Sequence, residues 1–173
     1  MKKLIIALFV LMPALIFAQS PFDKFDGRDG VTAVIVNKKM FQLMGEVKMD
    51  PKDKDAQQYL NLIKKLDNLR VFTTSSSKTM AEMKSTVTSY LKNNPLEELM
   101  RINDSGRNIR IYVKTGAKAS QVRELLMFME GSGKEESVLM SLTGNFDLSE
   151  ISVLTDKMNL PGGMELNKAA KKS

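Results

Sequence analysis

Two short motifs carry the residue types of a reacting serine. Ser75-Ser76-Ser77-Lys78 fits S-x-x-K, and Lys114-Thr115-Gly116 fits K-T-G. In penicillin-recognising enzymes such elements pair a serine nucleophile with a nearby lysine. The third element of that set, S-D-N or the looser S-x-N, is missing, and too few residues separate the two motifs for that fold. The pattern reads instead as a Ser/Thr cluster capping a helix at Thr79 and a Lys-Thr-Gly ending a strand. Glu97-Glu98 and Glu135-Glu136 are the adjacent acidic pairs. Neighbours on a strand point to opposite sides, whereas glycosidase carboxylates face each other across roughly 5–9.5 Å, so these pairs read as surface charge. Asp50, Asp53 and Asp55 lack the central Gly and terminal Glu of a calcium loop and read as a solvated helix start.

The chain has 173 residues and contains neither His nor Cys. Ser-His-Asp and Cys-His catalysis are therefore unavailable, and zinc and copper lose their usual nitrogen and sulfur ligands. Disulfides and a lipid-bearing cysteine are excluded as well. No catalytic residue, cofactor or metal site is expected. Trp is also absent, which weakens a carbohydrate-stacking platform.

The first residues give an address. Lys2 and Lys3 precede an apolar run from Leu4 to Phe17, and Ile16-Phe17-Ala18 offers a small residue for cleavage. The run is shorter than the ~20 residues of a spanning helix, so 1–18 reads as a secretory signal peptide. A mature chain from Gln19 has 155 residues and carries 24 Lys and Arg against 20 Asp and Glu, a net +4. This small, dispersed excess does not make a nucleic-acid surface. The expected address is periplasmic or secreted, with no transmembrane span after cleavage. Hydrophobic residues at 43% are enough for a core.

The rest reads as one domain. Residues 19–30 are a polar arm that Phe22 and Phe25 could dock, 31–166 form the body, and 167–173 are a basic tail. Val31–Val36 is β-branched and suits a covered strand. A short helix follows with Met40, Phe41 and Met44 on one side, then a loop from Gly45 to Asp53. Ala56, Tyr59, Leu60, Ile63 and Leu66 recur at helical spacing, predicting a helix over Asp53–Leu66 capped by Asp53 or Asp55. Asn68–Thr74 is a second strand, which would form a right-handed unit if it lay parallel to the first. Met80, Met83, Val87, Tyr90 and Leu91 predict a helix over Thr79–Lys92, with Thr79 and Glu82 at capping-box spacing. Four strands follow at Leu96–Asn103, Asn108–Lys114, Gln121–Glu130 and Glu136–Thr143. Asp104-Ser105-Gly106 and Gly131-Ser132-Gly133 have hairpin-turn chemistry, and Gly116–Ser120 is a longer connection. Ile109, Ile111 and Val113 alternate with polar neighbours, predicting one dry and one wet face. Asp147 caps a last helix over Asp147–Met158, ended by Pro161-Gly162-Gly163. The expected class is α+β: a mixed sheet with a C-terminal antiparallel meander of four strands, helices mainly on one face, and element order βααβαββββα.

Eleven of the 13 methionines lie outside the leader, mostly at helix-stripe or strand positions, where core filling is their ordinary use. Arg123-Glu124-Leu125-Leu126-Met127-Phe128-Met129 differs because its apolar residues are consecutive. Such a strand is either covered on both faces or offers an apolar face to a partner. Leu125, Leu126, Met127, Phe128 and Met129 are therefore the candidate partner-binding residues.

VTAVIVNKKMFQLM, LIKKLDNLRVFTTSSSK, MKSTVTSYLK, LEELMRIND, IRIYVK, ELLMF and SLTGNFDLSEISVLTDKMNLPGG, in this order behind an export signal, make the chain resemble the domain of unknown function 4252. That family comprises small exported proteins of Bacteroidota. The resemblance spans nearly the whole mature chain and implies an envelope address without an assigned activity or catalytic residues. Some relatives are lipid-anchored, a pattern this cysteine-free chain departs from. The expectation is a non-enzymatic exported module that binds a protein or envelope partner through its sheet or a groove beside it. The alternatives are a carboxylate-dependent hydrolase of glycans and a binder of small apolar ligands. Oligomeric state and partner identity are open at this level.

Overall fold

Six strands form one sheet in the order β1-β2-β6-β5-β4-β3. The computed structural model describes residues 20–104, 106–118, 120–131 and 135–170. The leader 1–18, Gln19, the turn residues Ser105, Ser132 and Gly133, and the tail end 171–173 lie outside the described residues. The strands are β1 (Thr32–Asn37), β2 (Leu66–Thr74), β3 (Glu97–Asp104), β4 (Arg107–Thr115), β5 (Gln121–Glu130) and β6 (Ser137–Asp147). The helices are α1 (Lys38–Gly45), α2 (Lys54–Ile63), α3 (Ser77–Asn93), α4 (Ile151–Met158) and α5 (Gly163–Ala170). Among the described residues no helix is long and apolar enough to cross a membrane.

The α+β class and the C-terminal meander match the sequence pattern: β3, β4, β5 and β6 pair antiparallel in succession. The sheet is not mixed, however. β1 pairs β2 antiparallel, with Asn37 opposite Asn68 and Thr32 opposite Thr73. The reason lies in the connection. α1 and α2 pack against each other and carry the chain out and back, so it re-enters the sheet beside the point where it left. One crossing helix would have set the strands parallel.

Local chemistry sets the element boundaries. Asn37 Oδ1 accepts from the Met40 N–H at 3.0 Å, and Asp53 Oδ1 from the Ala56 N–H at 3.0 Å, so each starts its helix by satisfying a donor the helix leaves unpaired. At α3 the cap is Ser76, whose hydroxyl accepts from the Thr79 N–H at 3.3 Å. Glu82, the expected capping-box partner, binds Arg28 instead. Leu66 is strand rather than helix: it opens β2 opposite Gly144. α4 ends at Met158, where Asn159 turns left-handed with φ +48°, and Pro161-Gly162-Gly163 starts α5, a helix absent from the expected order. Gly162 holds φ +79°, a backbone conformation that favours glycine, and it sits against the end of the Met127 side chain.

The sheet is covered on both faces. On one, Leu69, Val71, Ile111, Leu125, Met127 and Met140 pack against Phe41, Leu60, Ile63, Ile151, Leu154 and Leu166 of α1, α2, α4 and α5. On the other, Phe72, Tyr112, Leu126, Phe128 and Leu139 pack against Met83 and Val87 of α3 and against Phe22 and Phe25. Among the described residues α1, α2, α4 and α5 thus share a face, while α3 and the N-terminal arm close the other. On the expected wet face of β4, Asn108, Arg110 and Lys114 stay accessible while Tyr112 is buried.

The arm is part of the core. Phe22 lies 5.0 Å from the Tyr90 ring and Phe25 5.9 Å from Phe72, centroid to centroid. Arg70 Nε donates to Asp23 at 2.6 Å, and Arg28 pairs with Glu82 through both guanidinium nitrogens. Burying one Phe contributes about 1.5–3 kcal/mol, against about 0–1 kcal/mol for a partly exposed ion pair. The aromatic rings hold the arm, and the ion pairs fix its direction.

Leu126 is fully buried beneath α3. Leu126→Ala should lower the unfolding free energy by about 2–5 kcal/mol, measured by urea denaturation. A loss under about 1 kcal/mol would contradict a tightly packed second core.

Candidate functional site

The consecutive apolar run on β5 is divided between the two cores. Leu125 and Met127 face α1, α2, α4 and α5, while Leu126 and Phe128 face α3. The first three residues of the run are fully buried, Phe128 is 4% exposed, and Met129 is partly buried. Of the two readings of this strand, coverage on both faces is the one the fold adopts. Only Phe128 reaches a groove.

The serine and lysine motifs do not meet. Ser76 sits beyond Thr74, which pairs with Ser137 at the start of β6. Thr115 pairs with Val122, whose other neighbour is Phe146 near the end of β6. The two motifs therefore lie at opposite ends of the sheet. The acidic pairs do not converge either. Glu98 binds Arg101 at 2.8 and 2.9 Å, Glu135 lies 3.6 Å from Arg107, and Asp53 serves as a cap. Among the described residues no three His, Cys, Asp or Glu side chains gather as metal ligands.

Two grooves flank the sheet. The larger, about 800 Å³, lies at the β3 edge where the helical layer ends. Leu99, Val113, Val122 and Leu148 provide its apolar surface, and Glu97, Thr115, Lys118, Ser120, Asp147 and Ser149 its polar one. Its wall is the connection from β4 to β5, stapled by local bonds. Gly116 N–H donates to the Gln121 carbonyl at 2.7 Å, Ala117 N–H to Gln121 Oε1 at 3.1 Å, and Leu148 N–H to the Ser120 carbonyl at 3.2 Å. Joined to this wall by the Leu148–Ser120 bond is a capping box. Asp147 Oδ1 accepts from the Ser149 N–H at 3.0 Å and hydroxyl at 2.7 Å, while Glu150 Oε2 accepts from the Asp147 N–H at 3.0 Å. Lys65 then holds Glu150 at 2.7 Å. These bonds fix the backbone of the loop and of the capped turn that line the groove, as expected of a preformed binding site.

The smaller groove, about 320 Å³, runs between α3 and the sheet. Val87, Leu91, Tyr112 and Phe128 line it, with Lys84, Lys92, Arg110 and Glu130 around them. Lys84 binds Glu130 at 2.9 Å, and Arg110 donates to Asn108 Oδ1 at 3.2 Å. Deeper under α3, the Tyr90 hydroxyl donates to Glu124 Oε1 at 2.6 Å. Burial, aided by that carboxylate, raises the Tyr90 phenol pKa.

Electrostatics in the larger groove favour holding over proton transfer. The Ser149 hydroxyl and N–H, with Ser120 and Lys65 adding to them, keep the Asp147 carboxyl below its ordinary value. Outside the groove, Arg101 does the same for Glu98, and Arg28 for Glu82. A general acid needs the opposite shift.

One sign of this site is legible in the sequence, the longer connection Gly116–Ser120. Leu148 reads only as part of a buried helix face and Leu99 carries no signal, because their meeting depends on β3 and the turn after β6 being brought to one end of the sheet.

Removing the cap with Asp147→Ala should cost about 1 kcal/mol near neutral pH. Because the folded-state pKa lies below the unfolded one, this contribution is fully present above the ordinary carboxylate value of 3.8 and fades as pH falls through the lowered folded value. Thermal melts of wild type and variant should therefore converge in acid; a constant gap would sink the assignment.

Comparison with curated proteins finds no match, and comparison with solved structures finds none either. The family model described as domain of unknown function DUF4252 matches residues 25–154. The match begins at the buried Phe25, runs through all six strands and ends in α4, and on this evidence the chain belongs to the DUF4252 family.

Proposed function

We propose that this chain is a non-enzymatic binding module of the bacterial cell envelope, exported by its leader, and that the groove at the β3 edge receives an extended segment of a partner. The observation that carries this reading is the groove of about 800 Å³, with Leu99, Val113, Val122 and Leu148 beside charges of both signs at Glu97, Lys118 and Asp147. Apolar surface supplies affinity, and a few placed polar groups supply orientation. Partner recognition fits the residues better than catalysis, because Asp147 is committed to its cap.

A second reading, carboxylate-dependent hydrolysis of glycans, draws on the same groove, since Glu97 and Asp147 both line it. It requires one of these acids to give up a proton at the working pH. Asp147, held ionised, is poorly suited to that task.

Leu99 is 36% exposed on the edge strand, so Leu99→Glu should fold while placing a charge in the groove. A photo-crosslinking residue at position 99 should capture a defined partner from envelope extract, and one at the exposed Thr88 should not. Leu99→Glu should weaken capture at least about tenfold, roughly 1.4 kcal/mol, with an unchanged melting temperature. Equal capture from both positions would defeat the binding reading, and glycan turnover abolished by Glu97→Gln would replace it with the second. Mass spectrometry of the exported protein should find Gln19 at its N-terminus; an intact leader would remove the address.

A further inference from the structure

The sheet has two edges, and they are built differently. β3 carries Glu97, Glu98 and Arg101, and its register breaks between Glu98 and Met100. Charges and a bulge are what keep an edge strand from pairing with another chain. β1 has neither. Its sequence TAVIVN has no charged residue and no proline, its register with β2 is continuous over six residues, and Val34 and Ile35 are 40% and 41% exposed. Every second residue of an edge strand points its N–H and C=O outward, and here those groups lie in an apolar, unblocked ribbon.

We propose that two copies of this chain join through antiparallel pairing of β1 with β1, making one twelve-stranded sheet with Val34 opposite its own counterpart at a two-fold axis. Such an axis stands perpendicular to the sheet, so each face continues across the seam. The α1 and α2 layers of both copies then share one side, and the α3 layers share the other. Centring on Val34 sets Thr32 opposite Val36 of the second copy and Ala33 opposite Ile35. These β-branched and small pairs suit a pleated surface.

The charges beside β1 favour this occupant. Asp29 precedes the strand and Lys39 follows it. Both are exposed, and among the described residues neither has an ion-pair partner. Antiparallel pairing brings the end of β1 that follows Asp29 beside the end of the second copy that runs into Lys39 of α1, so each end of the seam carries an acidic and a basic flank. A parallel arrangement would set like beside like. α1, which packs beside β1, also leaves Met40 and Leu43 about half exposed next to the seam. The strand thus complements itself in backbone, shape and charge.

The test is the mass in solution by sedimentation equilibrium and light scattering at about 50 µM, a concentration that populates any dimer of micromolar affinity. Wild type should show twice the chain mass. Val34→Lys sets like charges against each other at the axis and should raise the dissociation constant at least about a hundredfold, giving a monomer with a cooperative melt. Val34→Glu should do the same, and mixing the two variants should restore the dimer. If Val34→Lys loses its cooperative melt, Ile35→Lys, on the other face of the strand, takes its place. Leu99→Glu should leave the mass unchanged, which separates this result from the groove. A monomeric wild type, a dimer indifferent to the β1 substitutions, or a mixture that stays monomeric would each overturn the proposal, including the case where β1 pairs with a different protein.

Discussion

A sheet that is apolar on both faces cannot stand under a single layer of helices, and this constraint shapes the molecule. Leu125, Leu126, Met127 and Phe128 occupy adjacent positions of a central strand and so must bury in opposite directions. Each face needs its own cover. One receives four short helices, each too small to be stable alone. The other receives α3, the longest helix, and the space beside it is filled by Phe22 and Phe25 of the arm. The ion pairs of the arm are arranged around that burial.

The covering layers do not reach every corner, and the uncovered corners are where the chemistry gathers. At the end of β3 and β4 the helical layer stops short, leaving Leu99 and Val113 beside a stapled loop and a capped turn. Asp147 illustrates how the two roles combine: the same carboxylate that starts the helical turn leading into α4 also lines the groove. Its low pKa follows from the first role and governs what it can do in the second.

Much of this was readable from residues. The period of two in Ile109, Ile111 and Val113, the helical stripes of α2 and α3, and the turn chemistry between strands placed most elements within a few positions. The unbroken apolar run on β5 carried the information that both faces are buried, although the sequence left open whether a partner or the chain itself supplies the cover. Strand direction was less legible. Whether β2 returns parallel or antiparallel depends on α1 and α2 docking on each other, a tertiary fact that no local pattern encodes. Gly162 was read as a stop because a glycine with φ +79° serves a turn between two helices as well as a helix end, and nothing local says that α5 follows. The groove was almost silent, since its walls come from three separate stretches of chain.

The position of β6 has a consequence for biosynthesis. β2 is sandwiched between β1 and β6, with Leu69 opposite Leu142. As the chain emerges from its N-terminus, β2 can zip onto β1 at once, yet its inner flank waits for a segment made about seventy residues later. Until then a greasy ribbon that belongs in the middle of the sheet sits at a border. Long-range pairing of this kind slows folding and leaves the nascent chain adhesive. The native topology closes only when β6 slides into the gap, so the polypeptide must be kept apart from its neighbours until nearly all of it has been synthesised.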